Sequence, residues 1–375
     1  MVPQPLFCPI ETCPSRGVTG AGNLKVHDPL RNRWRCRVCG KTFSGRKGTP
    51  FYGLKYESQI VVWVVTLLAW GCPLQAIVAA FGVDERTVAD WQKKAGQHCE
   101  AVHQALVVSQ PRDLGQVQAD ELYAKLQKRL AVWVAMAIQV PTRLWLGGVV
   151  SVRRDSKLIW RLVCLVRAQA LERPLLLVTD GLSSYVTAWK RAFTTPIPRQ
   201  KGSGGRRLRA WPGIVIGQVI KSYQKLRCLG VEAGRLVQGT GEAFVALRLP
   251  DQMLHTAYIE RLNATFRQRL CGLVRRGRCL LRQEAVLQTH LYLVGGLYNF
   301  CTPHRSLRVK QIAEQAGEER TPAMAAGITQ SIWSVGDLLC FHIAPPPYTP
   351  PKPKSNRGRP VGSKNKPKPP KETGI

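Results

Sequence analysis

The chain has 375 residues, 45% of them hydrophobic, and carries 55 Lys and Arg against 23 Asp and Glu, a formal charge of +32. That apolar share supports a sizeable core and excludes a disordered chain, and the length suits two or three domains. The charge calls for a polyanionic partner, nucleic acid before a membrane surface, because no long amphipathic basic helix stands out.

The opening MVPQPLFCPIETCP lacks the charged and apolar regions of a signal peptide, and the apolar stretch 60–70 is too short to span a bilayer. The expected location is therefore cytoplasmic and nucleoid-associated. Twelve cysteines in a long chain without an export signal suggest reduced thiols and a metal site rather than disulfides.

Residues 1–50 are rich in Cys, Gly, Pro and Arg. Cys8-x4-Cys13 and Cys36-x2-Cys39-Gly40 form two pairs. Four soft thiolates suit tetrahedral Zn2+ in a closed structural site, and a Cys-x2-Cys turn before Gly aims both sulfurs at one ion. Trp34 and Phe43 flank the turn as a small core. His27 could replace one cysteine, and the bland alternative is unrelated buried thiols. A module this small needs a staple, which favours zinc. Gly40-Lys41-Thr42 looks like the end of a phosphate-binding loop, but Arg35 stands where that loop needs Gly, so no ATPase is expected.

Residues 51–110 are helical in character. Residues 73–81 read as a short amphipathic helix, Gly82 as the turn, and Asp84 as the N-cap of a second helix with Val88, Trp91 and Ala95 at core spacing. This is a helix-turn-helix pattern. Arg86, Thr87, Asp90, Lys93 and Lys94 fall on or near its exposed face, where DNA contact competes with an ordinary solvated helix.

Residues 115–310 alternate apolar runs with amphipathic stretches. Strands are expected at 115–123, 131–140 and 144–152, a helix at 156–170, a fully buried strand at 175–178, a helix at 182–193 and a strand at 214–220. That order predicts an α/β domain, a mixed sheet covered by helices, and matches the ribonuclease H-like fold. The stretch 221–250 fits poorly and reads as an insertion.

Three scarce carboxylates lie against apolar runs: Asp120 in GQVQADELY, Asp180 in RPLLLVTDG and Glu260 in HTAYIERLNATFRQRL. Phosphoryl transfer on DNA is served by two hard cations about 3.5–4 Å apart, and a few carboxylates from separate elements suffice for magnesium. Asp120 belongs to the first strand and Asp180 ends a buried one. Glu260 lies on a helix whose polar stripe also carries Thr256, Asn263 and Arg267 beside the apolar seam Ile259, Leu262 and Phe266. Each acid has a bland reading. Asp180 before Gly suits a turn, Glu260 suits an exposed ion pair, and Glu121 could replace Asp120 because strand neighbours face opposite ways. Asp155, Asp251 and Glu284 are rivals; Asp155 suits helix capping and Glu284 a solvated face.

The run WRCRVCGKTFSGRKGTPFYGLK, the helix-turn-helix pattern, TAYIERLNATFRQRL and YNFCTPHRSLR resemble bacterial insertion-sequence transposases of the DDE type, nearest the InsA–InsB-like group in single-chain form. The resemblance covers residues 8–310. It implies a zinc and helix-turn-helix region that reads terminal inverted repeats in double-stranded DNA, and a ribonuclease H-like domain that cuts and joins strands with Mg2+ or Mn2+. The acidic triad of the family maps onto Asp120, Asp180 and Glu260, and its accessory positions onto Asn263 and Arg267. His304 and Arg305 match a downstream motif, with a structural turn as the bland alternative. A homo-oligomer on DNA is expected. A non-catalytic regulator derived from a transposase and a structure-specific nuclease are the competing readings.

Residues 345–375 are rich in Pro and Lys and should be disordered in isolation. Within them, Arg357-Gly-Arg359-Pro resembles an AT-hook, whose arginines suit a narrow A·T minor groove; the bland alternative is a basic tail that binds any phosphate backbone.

Overall fold

A computed structural model describes residues 6–127, 130–197, 207–222, 231–249, 253–273, 283–309 and 317–350. They belong to two compact units, residues 6–43 with those from 344 onward, and residues 44–343. No helix among the described residues is long and apolar enough to cross a membrane.

The smaller unit is built on short strands, β1 (Leu24–Asp28), β2 (Arg33–Cys36) and β3 (Thr42–Ser44), in the order β1-β2-β3. Its core is Cys8, Cys13, Cys36 and Phe43, with Ile10, Leu24, Trp34 and Cys39 packed on it. So few apolar side chains do not hold a fold on their own. Residues 344–350 run without helix or strand. The remainder of the tail, with Arg357 and Arg359, lies outside the described residues.

The larger unit opens with helices. In α1 (Ser58–Ala69), Val61, Val64, Val65 and Leu68 are buried, the spacing of one apolar face. The chain turns at Gly71, whose φ of +86° a side chain would resist, and Pro73 caps α2 (Leu74–Phe81). Gly82 closes α2 in the left-handed region at φ +61°. In α3 (Glu85–His103), the Asp84 carboxylate accepts from the Arg86 N–H at 2.9 Å, and Val88, Trp91 and Ala95 are buried. These three features follow the sequence reading. The sequence reading set no end to this helix; its second half buries Gly96, Cys99, Val102 and His103 as a core helix.

The sheet comprises β4 (Gln116–Lys125), β5 (Ala131–Gln139), β6 (Trp145–Ser151), β7 (Leu175–Asp180), β10 (Ile214–Ser222) and β11 (Val231–Gln238), ordered β11-β10-β7-β4-β5-β6. Helix α4 (Ser156–Gln169) follows β6 and α5 (Ser183–Ala192) follows β7. The strands β4, β5 and β6 form an antiparallel meander, while β7 runs parallel to β4 and β10 parallel to β7. A mixed central sheet is thus in place, and each element expected between 115 and 220 occurs within two residues of its expected ends.

Four described elements between 194 and 247 have no counterpart in the sequence reading. A small hairpin pairs β8 (Thr194–Pro196) with β9 (Leu208–Ala210). In the stretch read as an insertion, β11 extends the sheet antiparallel to β10, followed by α6 (Gly241–Leu247). Residues 223–230 and 250 of that stretch lie outside the described residues.

One face of the sheet packs with α3, α4 and α5, and the other with α7 (Ala257–Arg269) and α8 (Glu284–Gly296). Helix α8 also shields the edge strand β6. Gln288 accepts from the Val150 N–H at 2.8 Å and donates to the Gly148 carbonyl at 2.9 Å. Asn299 does the same for both backbone groups of Trp145, at 2.9 Å each. An edge strand leaves such groups unpaired, and two carboxamides here stand in for a neighbouring strand. Helices α3 and α8 approach closely at Gly96, where a Cβ would lie 2.5 Å from the Thr289 carbonyl oxygen.

Candidate active site

The parallel pairing of β4 with β7 runs from Gln116↔Leu176 to Ala119↔Thr179. One step further sets Asp120 beside Asp180. Side chains paired across neighbouring strands share a face, so both aspartates point toward the α7 side. Asp180 also fulfils its bland reading: Oδ1 accepts from the Leu182 N–H at 3.1 Å and holds the turn out of β7. Its side chain remains 40% exposed, so it serves turn and cleft at once.

Helix α7 is fastened to this face by Gln118, two residues before Asp120. The Gln118 carboxamide is fully buried. Its Oε1 accepts from the Tyr258 and Ile259 N–H groups at 3.0 Å each, and its Nε2 donates to the His255 carbonyl at 2.7 Å. The first N–H groups of a helix lack intrahelical partners, and a strand side chain supplies them here. Ile259, Leu262 and Phe266 bury the apolar seam, and buried Asn263 donates from Nδ2 to Asp120 Oδ2 at 2.8 Å. Arg267 is half-buried on the same helix. Glu260 is exposed in the first turn, and its Oε1 accepts from the Thr256 hydroxyl at 3.0 Å.

The tightest acidic group among the described residues is Asp120, Glu121 and Asp180, with ligand oxygens all within 4.8 Å of one another, a set that could hold a metal ion. Glu260 stands outside that group but is near enough for its charge to bear on Asp120. The alternation of β4 gives Asp120 and Glu121 different work. Asp120 shares its face with Asp180 and α7. Glu121 turns to the other face, beside Tyr185, and its side chain is only 1% exposed. Glu121 Oε2 accepts from Arg154 Nε at 3.2 Å and Nη2 at 2.8 Å, and Arg154 Nη2 lies 3.9 Å from Asp180 Oδ2.

Burial, followed by the charges of Glu121, Asp180 and Glu260, raises the Asp120 carboxyl from 3.8 to about 6, against a backbone N–H donated by Glu121. A raised carboxyl means that the folded state binds more protons than the unfolded state between pH ~4 and ~6. Metal-free stability should therefore fall as pH rises through that window, and stay lower above it, by on the order of 2–3 kcal/mol. Asp120→Asn cannot ionise. In chelator, thermal melts should find it more stable than the parent at pH 7.5 and equal to it at about pH 4. Added Mg2+ should raise the melting temperature of the parent alone. A variant no more stable than the parent at pH 7.5 would show that this carboxylate is not strained by its surroundings.

The four cysteines also converge. Their sulfurs lie within 4.8 Å of one another, with Cys8–Cys39 and Cys13–Cys36 each at 3.8 Å. Tetrahedral zinc with Zn–S bonds of about 2.3 Å sets sulfurs about 3.8 Å apart, so the cluster fits a zinc ion. Gly40 at φ +70° closes the turn, with its N–H on the Cys36 carbonyl at 3.0 Å. Burial disfavours the Cys36 thiolate. The Ser15 hydroxyl and the Cys39 and Val38 N–H groups outweigh that and bring the thiol down to about 6, while burial raises the Cys8 and Cys39 thiols. His27 is exposed on β1 and outside the cluster.

Other readings find their places. Asp155 caps α4, accepting from the Leu158 N–H at 3.0 Å. Glu284 is half-buried in the first turn of α8, and Asp251 lies outside the described residues. Arg86, Asp90 and Lys93 are exposed on α3, while Thr87 and Lys94 are half-buried, with Lys94 paired to Asp90 at 2.7 Å. His304 packs edge-on against Tyr298 with centroids 4.7 Å apart; burial, then Arg269 and Arg143, lowers it to about 4. Arg305 lines a cavity with His304, Pro303, Arg308 and Glu319. Gln118 and Arg154 were not singled out in the sequence. Gln116, Gln118 and Asp120 do alternate through an apolar strand, a signal of a polar line on one face. Arg154 gave none, since its partners are 33 and 26 positions away.

No protein-family model matches this chain, and no curated protein matches it.

Proposed function

We propose that the protein is a DDE-type DNA transposase that binds the ends of an insertion element, cleaves DNA there and joins the freed ends to target DNA. The observation that carries this reading is the placement of Asp120 and Asp180 side by side on parallel strands, under a helix that carries Glu260 and is bolted to the same strand by Gln118. The sheet supports a ribonuclease H-like reading: an antiparallel meander β4-β5-β6 with β7 parallel beside β4 and β10 parallel beside β7. The α2–Gly82–α3 hairpin supports a helix-turn-helix that would meet DNA through exposed Arg86 and Lys93, with half-buried Thr87 and Lys94 beside them. The four-cysteine cluster and the +32 charge agree with a DNA-bound protein.

In the proposed reaction the oxygen of a water attacks phosphorus at the element end. The bond to the 3′-oxygen breaks, leaving a 3′-hydroxyl and a 5′-phosphate. That 3′-hydroxyl then attacks a target phosphorus, forming a new phosphodiester and releasing a target 3′-hydroxyl. A divalent metal, Mg2+ or Mn2+, held by Asp120, Asp180 and Glu260, would stabilise charge on the attacking and leaving oxygens. The chain supplies the rest. Asn263 holds the Asp120 carboxylate through Oδ2, and Gln118 fixes the height of α7 over β4.

The test uses duplexes from the DNA flanking the coding sequence. The parent protein should shift the terminal repeats in gels and, with Mg2+, leave 3′-hydroxyl ends and joined products. Binding with no cleavage would favour a non-catalytic regulator. Cleavage of branched DNA without joining would favour a nuclease.

A further inference from the structure

We propose that Arg154 is a further catalytic residue, which binds the scissile phosphate of DNA, and that Glu121 is the positioning residue that holds it there; this rests on the transposase reading above. Neither residue belongs to the acidic triad. Glu121 is 1% exposed, whereas the Arg154 side chain is 39% exposed, so the pair has a sealed end and an open end. At the sealed end, Nε and Nη2 both donate to one oxygen of Glu121. The guanidinium also stacks over Trp133, 4.8 Å from the ring centre. At the open end, Nη2 comes within 3.9 Å of Asp180 Oδ2, at the mouth of the acidic cluster. Among the described residues, nothing accepts a hydrogen bond from Nη1.

An ion pair with a buried partner is costly to desolvate, and replacing such a pair with apolar groups is often neutral or stabilising. Its place beside the cluster is therefore better explained by function than by stability. The charge of Arg154 is matched chiefly by Glu121, at 2.8 Å, against 3.9 Å to Asp180. Held by two N–H groups and a ring face, the guanidinium is pre-oriented, and its free edge suits the planar fork geometry that arginine offers to phosphate oxygens. A group fixed in this way stabilises charge that develops on a phosphate without rearranging.

The experiment is single-turnover cleavage of a terminal-repeat duplex bearing either an ordinary phosphate or a neutral methylphosphonate at the scissile position. Arg154→Ala should cut the ordinary duplex about 100-fold more slowly than the parent. On the methylphosphonate, which has no phosphate charge to neutralise, the deficit should shrink severalfold or more. Arg154→Lys, the variant that keeps charge if the alanine form folds poorly, and Glu121→Gln should each show an intermediate deficit with the same dependence on the substrate. A structural brace predicts equal deficits on both duplexes, and that result would overturn the proposal. Arg154 variants as fast as an active parent would overturn it alone, whereas a parent that cuts neither duplex would overturn the transposase reading as well.

Discussion

Asp180→Asn should bind terminal-repeat DNA as tightly as the parent and cleave it on the order of a thousandfold more slowly, a loss at the upper end of what one transition-state group supplies. The amide oxygen can still accept from the Leu182 N–H, so the exit from β7 survives. What disappears is the negative charge beside Asp120. Gel shift and single-turnover cleavage of the same duplex separate the two effects, and the melting temperature should stay within a few degrees of the parent. A variant that cuts within tenfold of the parent would remove Asp180 from the chemistry.

Cys36→Ser has the second large effect, in the smaller unit. Sulfur spacings of 3.8 Å match a tetrahedral site, and the core around them has little else. Structural zinc contributes roughly 10 kcal/mol or more to modules of this kind, so loss of one thiolate should unfold residues 6–43. Metal analysis should find one zinc per chain in the parent and well under one in the variant. Affinity for the terminal repeat should fall toward the non-specific level, about a thousandfold weaker. Residues 44–343 form their own compact unit with its own core, and their thermal transition should persist. A variant that keeps its zinc and its end affinity would contradict the assignment.

Much of this fold is legible because the apolar runs are short and cleanly bounded. Residues 175–179 are buried, and the fully apolar run 175–178 reads as a buried strand from composition alone. The turn chemistry at Gly82 and Asp84 is equally local. Less legible was anything decided between distant segments. Nothing near Glu85 announces that α3 continues as a core helix, because that depends on the fit of Gly96 against Thr289 of α8. Strand β11 carries Glu232, Gly234 and Arg235 through its middle, which weakens its apolar pattern; its pairing with β10 makes it a strand.

The site divides in the same way. Asp120, Asp180 and Glu260 stand out as acids in a basic chain, and the Cys-x2-Cys turn has the spacing of a pair of metal ligands. The sequence left Asp120 and Glu121 as alternatives. The β4–β7 register separates them: Asp120 faces α7, and Glu121 turns toward Tyr185 and holds Arg154 beside the cluster. Gln118 is a polar residue in a strand until α7 arrives from 140 residues away to use it.

The measurement that bears most directly on the proposed metal-dependent chemistry at this cleft is strand cleavage by Asp180→Cys in Mg2+ and in Mn2+. A thiolate is a poor ligand for hard magnesium and a better one for the softer transition metal. The variant should be inactive in Mg2+ and regain cleavage in Mn2+, while the parent cuts with both. Cleavage in Mg2+ at the parent rate would contradict a metal-binding role for Asp180, as would a variant that Mn2+ does not restore.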